Sequence, residues 1–180
     1  MRILRLSALC LVLTVSASSQ GQALPEPLVR LLYEKIDLPS SMSHTCLTVF
    51  PDGRFHMEQG SFQPRSAAQI FEGSLPSENL NSLGALIEAE DLKNLPRTQE
   101  GMVTIAQGQA FSAVIHRGKE FQLFRRISLE GSGTQHPKPL PKAVEPLLQW
   151  FQSSTKAVRQ QKLPPLKTMK STNCGFPQPD

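Results

Sequence analysis

Aromatic platforms are nearly missing from this chain: it has one Trp and one Tyr among 180 residues. A carbohydrate-stacking surface or a base-stacking groove wants several such rings, so neither is expected. No glycine-rich phosphate loop occurs, no H-E-x-x-H, no G-x-S-x-G and no closely spaced cysteine pair. Calcium is not indicated either, because no loop of alternating oxygen ligands surrounds the acids Glu88, Glu90 and Asp91. Long apolar runs are absent after the first 15 residues, so no membrane-spanning segment is expected in the mature chain. Cysteine is scarce as well, with three in all: Cys10, Cys46 and Cys174.

Arg2 and Arg5 precede an apolar run from Leu6 to Val15, and a small, polar stretch then leads to Gly21-Gln22-Ala23. Basic, apolar, small is the order of a secretory signal peptide, cleaved here before Leu24. Residues 1–23 are therefore read as a leader and 24–151 as one domain. Residues 152–180 are read as a basic, proline-containing tail, mostly extended. The destination is the periplasm or the cell exterior. Cys10 leaves with the leader, and its large neighbour Leu9 does not suit a lipoprotein site. The remaining two cysteines would meet an oxidising compartment, which makes Cys46–Cys174 the candidate disulfide; two free thiols are the alternative.

Charge separates the body from the tail. Between Leu24 and Phe151 stand 12 Lys and Arg against 14 Asp and Glu, whereas from Gln152 onward five basic residues face only Asp180. A near-neutral body without a basic stripe is not that of a nucleic-acid binder, and the expected partner is a protein.

The clearest local signal is "CLTVFPDGRFHMEQ". Pro51-Asp52-Gly53 carries turn chemistry. A three-residue loop with Gly53 left-handed opposes Val49 with Phe55 and Leu47 with Met57, gathering apolar residues on one face. The other face then carries Cys46, Thr48, His56 and Glu58, exposed and pointing away from the core. Leu28, Leu31, Leu32 and Ile36 fall at helical spacing and predict a short helix before this hairpin. A third strand follows over Ile70–Leu75. After it comes a helix opened at Pro76, with the stripe Leu80, Leu83, Leu86 and Ile87. Strands are expected at Met102–Ala106, Phe111–His116 and Glu120–Ile127. A second Leu-Pro step at Leu140-Pro141 introduces a helix striped by Val144, Leu147, Leu148 and Phe151. The expected architecture is α+β: an antiparallel sheet of five or six strands from two hairpin-containing halves, each followed by a helix packed on one face. Leu163–Leu166 reads as polyproline II.

The phrases "EDLKNLP" and "LPKAVEPLLQWF", together with this order of hairpins and helices, resemble the emfourin family of proteinaceous inhibitors of thermolysin-like metalloproteases. The resemblance covers about Thr45–Phe151. It implies an inhibitor that works by surface contact. This chain departs from the family pattern at Pro51-Asp52-Gly53-Arg54, in the polar insertion Ser61–Ala68 and in its cysteine-bearing tail, and no inhibitory residue is carried over.

Three sets of polar residues bear on chemistry. His44, Cys46 and His56 would share a strand face and form the best metal trio; it reads as a polar face plus a disulfide, with no metal and no cofactor expected. His44, His56 and Glu58 form the candidate polar site. A small secreted hydrolase using His56 and Glu58, or His116, is the catalytic alternative, and a scaffold docking through its basic tail is another. The leading expectation is a non-catalytic binding module.

Overall fold

The computed structural model describes residues 26–37, 41–61, 68–96, 107–129, 141–160 and 167–169. The leader, the expected strand Met102–Ala106, the polyproline stretch and Cys174 lie outside them. Strands β1 (Val29–Asp37), β2 (Ser41–Val49), β3 (Arg54–Ser61) and β4 (Ala68–Ser74) come first. Helices α1 (Ser77–Glu88) and α2 (Glu90–Lys93) follow, then β5 (Gln107–Arg117) and β6 (Glu120–Leu129). A 3-10 turn at Lys142–Val144 runs into α3 (Glu145–Gln160), and β7 (Lys167–Met169) is last. One antiparallel sheet results, ordered β6-β5-β1-β2-β3-β4-β7. Its six long strands and short seventh give the α+β architecture the patterning predicts.

The expected helix over Leu28–Ile36 is a strand instead. β1 is bonded along its whole length to β2 on one side and β5 on the other. The same leucines that fit a 3.6-residue period also fit a period of two: Val29 and Leu31 are buried under the helices, while Leu32 and Ile36 turn to the opposite face. Pairing on both sides outweighs a weak local preference.

The β2–β3 hairpin forms in the predicted register, with Val49 opposite Phe55 and Leu47 opposite Met57. Gly53 has φ +83°. A Cβ at this position would also stand 3.1 Å from Leu80 Cδ2. The Gly53 carbonyl accepts a hydrogen bond from the Leu75 amide, tying the hairpin tip to the start of α1.

Both Leu-Pro steps do the same work. Pro76 (φ −53°, ψ 143°) and Pro141 (φ −53°, ψ 135°) each hold an extended conformation immediately before a helical segment. α1 buries Leu83 and Ile87, and α3 buries Leu147, Trp150, Phe151 and Val158. These pack with Leu31, Leu47, Met57 and Phe124 into the main core. Pro146 lies in the first turn of α3, where its missing N–H has no helical partner to lose. α3 continues past Phe151 to Gln160, so residues 152–160 are helical and not part of an extended tail. Two of its buried positions there are Ser154 and Thr155, and the Thr155 hydroxyl donates back to the Phe151 carbonyl at 2.9 Å. A stripe carried by small hydroxyl residues leaves little apolar trace in the sequence.

The acids near the end of α1 also find their place. Ala89, at ψ 131°, breaks the helix, and α2 starts immediately after it. Glu90 and Asp91 thereby occupy the first turn of a new helix, where negative charge is favourable. Glu88 pairs with Lys93 and Arg117, which hold its carboxyl below the usual carboxylate range.

Candidate functional site

Alternation along β3 sends Phe55 and Met57 toward the helices and His56 and Glu58 to the opposite face. Glu58 follows His56 by two residues on the same strand, and Glu72 is the cross-strand partner of His56 on β4. The imidazole lies between them: Nε2 is 2.8 Å from Glu58 Oε1, and Nδ1 is 2.8 Å from Glu72 Oε1. Side-chain exposure rises along this run, from 1% at Glu58 through 11% at His56 to 56% at Glu72. A carboxylate–imidazole–carboxylate chain therefore leads from the interior to the surface. A neutral imidazole has one N–H, so two such contacts require an imidazolium or one protonated carboxyl.

His44 and Cys46 lie on the same face of β2, with Cys46 directly opposite Glu58. Burial holds the His44 imidazole below its ordinary value near 6.5, and the nearby Glu58 charge pulls the other way. His44 is thus neutral at pH 7. His44, Cys46, Thr48, His56 and Glu58 share one face as expected, but the expectation that this face is exposed is corrected. Cys46 is 1% exposed and Glu58 0%.

Sequence reasoning brought His44, His56 and Glu58 to one face and missed Glu72. The signal was present: Phe71 packs inward, so parity places Glu72 beside His56. His116, the other histidine considered for catalysis, is on β5, three strands from β3. Its environment is separate. Burial first, then the Arg30 charge, lower its proton affinity, while Glu26 opposes them. Among the described residues no group of three or more His, Cys, Asp or Glu side chains is arranged to hold a metal ion. Among the same residues no helix is long and apolar enough to cross a membrane.

The hairpin tip is the second polar feature, and it is exposed. Arg54 Nε donates to Asp52 Oδ2 at 2.6 Å and the Arg54 amide donates to Asp52 Oδ1 at 3.1 Å. The guanidinium carbon stands 5.6 Å from the centre of the Phe50 ring. Hydrogen bonds from Arg54 keep the Asp52 carboxyl below its usual range. Carboxylate, guanidinium and ring restrain one another at a turn already fixed by Gly53. These contacts hold the exposed tip in one arrangement.

Compared with known proteins, the sequence matches no protein-family model and no curated protein.

Proposed function

We propose that this chain is a non-catalytic binding module that works in the periplasm or outside the cell, with a protein as its partner. One observation carries the non-catalytic reading: both ring nitrogens of His56 are occupied by carboxylates. A general base needs a free lone pair directed at substrate, and a general acid needs an uncommitted N–H. His56 offers neither, and Glu58 is buried behind it. The group is built to hold strands β3 and β4 together. The preordered hairpin tip, with Asp52 and Arg54 exposed, is the contact element.

The layout resemblance sharpens this to inhibition of a thermolysin-like metalloprotease. Residual activity of such a protease is the test: loss of activity at micromolar excess of the chain supports inhibition, and full activity removes it. The hydrolase reading has its own assay. Turnover of ester, glycoside or peptide substrates that vanishes with His56→Gln would overturn the non-catalytic assignment. The same reading pairs Cys46 with Cys174, as an oxidising destination favours. Removal of residues 1–23 from the exported protein, read at its N-terminus, tests that destination.

A further inference from the structure

The β2–β3 tip has a counterpart. β5 and β6 turn at Gly118 and Lys119, where Gly118 has φ +64° and both residues are exposed. Both turns stand at the same end of the sheet. Val29 pairs with Val49 on one side and with Ile115 on the other, and Asp52 and Gly118 each follow three residues after that row. β1 lies between the two hairpins, so the midpoints of the turns are three strand spacings apart, about 14 Å. Leu28 forms the floor between them: its amide donates to the Val49 carbonyl, and its carbonyl accepts from the His116 amide.

Each tip is braced against a different end of α1. At the start of the helix, the Leu75 amide donates to the Gly53 carbonyl, and Leu80 lies against Gly53. At the other end, Arg117 donates to the Ile87 carbonyl and to Glu88 Oε1. Gln122 on β6 donates to the Leu92 carbonyl at 3.0 Å and to the Leu95 carbonyl at 2.8 Å. The 12 residues of α1 rise about 18 Å, so the helix spans the distance between the tips as a strut. Neither tip can shift along the sheet without breaking hydrogen bonds to the helical segments.

We infer that the two tips form one bipartite contact surface, held at fixed separation by α1, that enters a cleft of a protein partner at two points. The inference rests on the binding reading above and extends it from one hairpin to two. The exposed charges point to the class of partner. Asp52, Arg54, Lys119 and Glu26, which leads into β1, mix both signs. Such a mixture does not suit a polyanion or an acidic membrane surface. Two narrow, convex turns suit a concave protein surface instead. Because their spacing is set before binding, the second contact adds little ordering cost to the first.

Inhibition of thermolysin is measured for the exported full-length protein, for Arg54→Ala, for Lys119→Asp and for both changes together. Lys156→Asp, on the exposed side of α3, is the control. Each single change at a tip is expected to raise the inhibition constant roughly tenfold and the pair roughly a hundredfold, because distant sites on one rigid body add in free energy. The control is expected to match the wild type. Urea midpoints are read alongside, and Lys119→Ala replaces Lys119→Asp if the latter lowers its midpoint. Weakening by only one of the two single changes overturns the bipartite surface and leaves a single-tip contact standing. Wild-type potency in both excludes both tips. No inhibition by the wild-type protein removes the protease reading, and this inference with it.

Discussion

Both faces of the sheet bury side chains, by different means. Under the helices, Leu31, Leu47, Met57 and Phe124 exclude water by apolar contact alone. On the other face, Glu58 and His56 are taken out of water as a hydrogen-bonded polar pair. Apolar burial degrades gradually when atoms are removed. A buried polar pair fails abruptly when one partner is lost, because the other is stranded in a medium that cannot solvate it.

His56→Ala strands Glu58 and is expected to cost about 3–5 kcal/mol in urea unfolding. Combining His56→Phe with Glu58→Leu removes both charges and should recover most of that loss. A double variant no more stable than His56→Ala would show that the ion pair itself holds this face. On the helix side, Leu47→Ala should cost about 2–5 kcal/mol, with no second substitution of the pairing kind able to repair it.

Gly53 decides which residues reach which face, because a one-residue slip in its hairpin would exchange them. Gly53→Ala combines a positive φ with a close approach to Leu80. A loss of about 1–2 kcal/mol is expected from the backbone conformation alone. Unchanged thermal stability would mean the turn relaxes elsewhere.

Acid should expose the polar face before the apolar one. The folded state holds His44 neutral, with its proton affinity lowered by burial, so the unfolded chain takes up the proton first. Stability from this residue is complete above about pH 6.5 and falls as the pH drops below it, by at most about 1.4 kcal/mol per pH unit. Urea midpoints of wild type and His44→Gln should converge with acidification over this window. Parallel profiles would remove His44 as the cause. The smallest effect belongs to Glu72→Gln: its carboxylate is more than half exposed, and the expected loss is below about 1 kcal/mol. A larger loss would place Glu72 functionally with Glu58 rather than at the surface.

What was readable in advance follows the same division. Apolar parity in "LTVFPDGRFHM" determined the register of β2 and β3, and the two Leu-Pro steps marked where helical segments begin. Parity also gives the composition of the polar face. Its burial was not legible, because polar residues such as His56 and Glu58 look solvated until their partners are known. β1 was misread because Leu28, Leu31, Leu32 and Ile36 satisfy both periods, and only pairing with β2 and β5 decides between them. The last two turns of α3 left little signal because Ser154 and Thr155 supply two of their three buried positions, with Val158 the third.

The placement of β1 has a consequence for assembly. β5 and β6 form one hairpin, β2 to β4 form a meander, and among the described residues the ladders joining them pass through Val29–Asp37. Neither piece completes the sheet alone, and the bridging segment comes from the beginning of the chain while its β5 neighbour starts at Gln107. Closure therefore waits on a loop of some seventy residues, the kind of distant contact that slows folding. Nine residues act as the keystone between two otherwise separate ribbons.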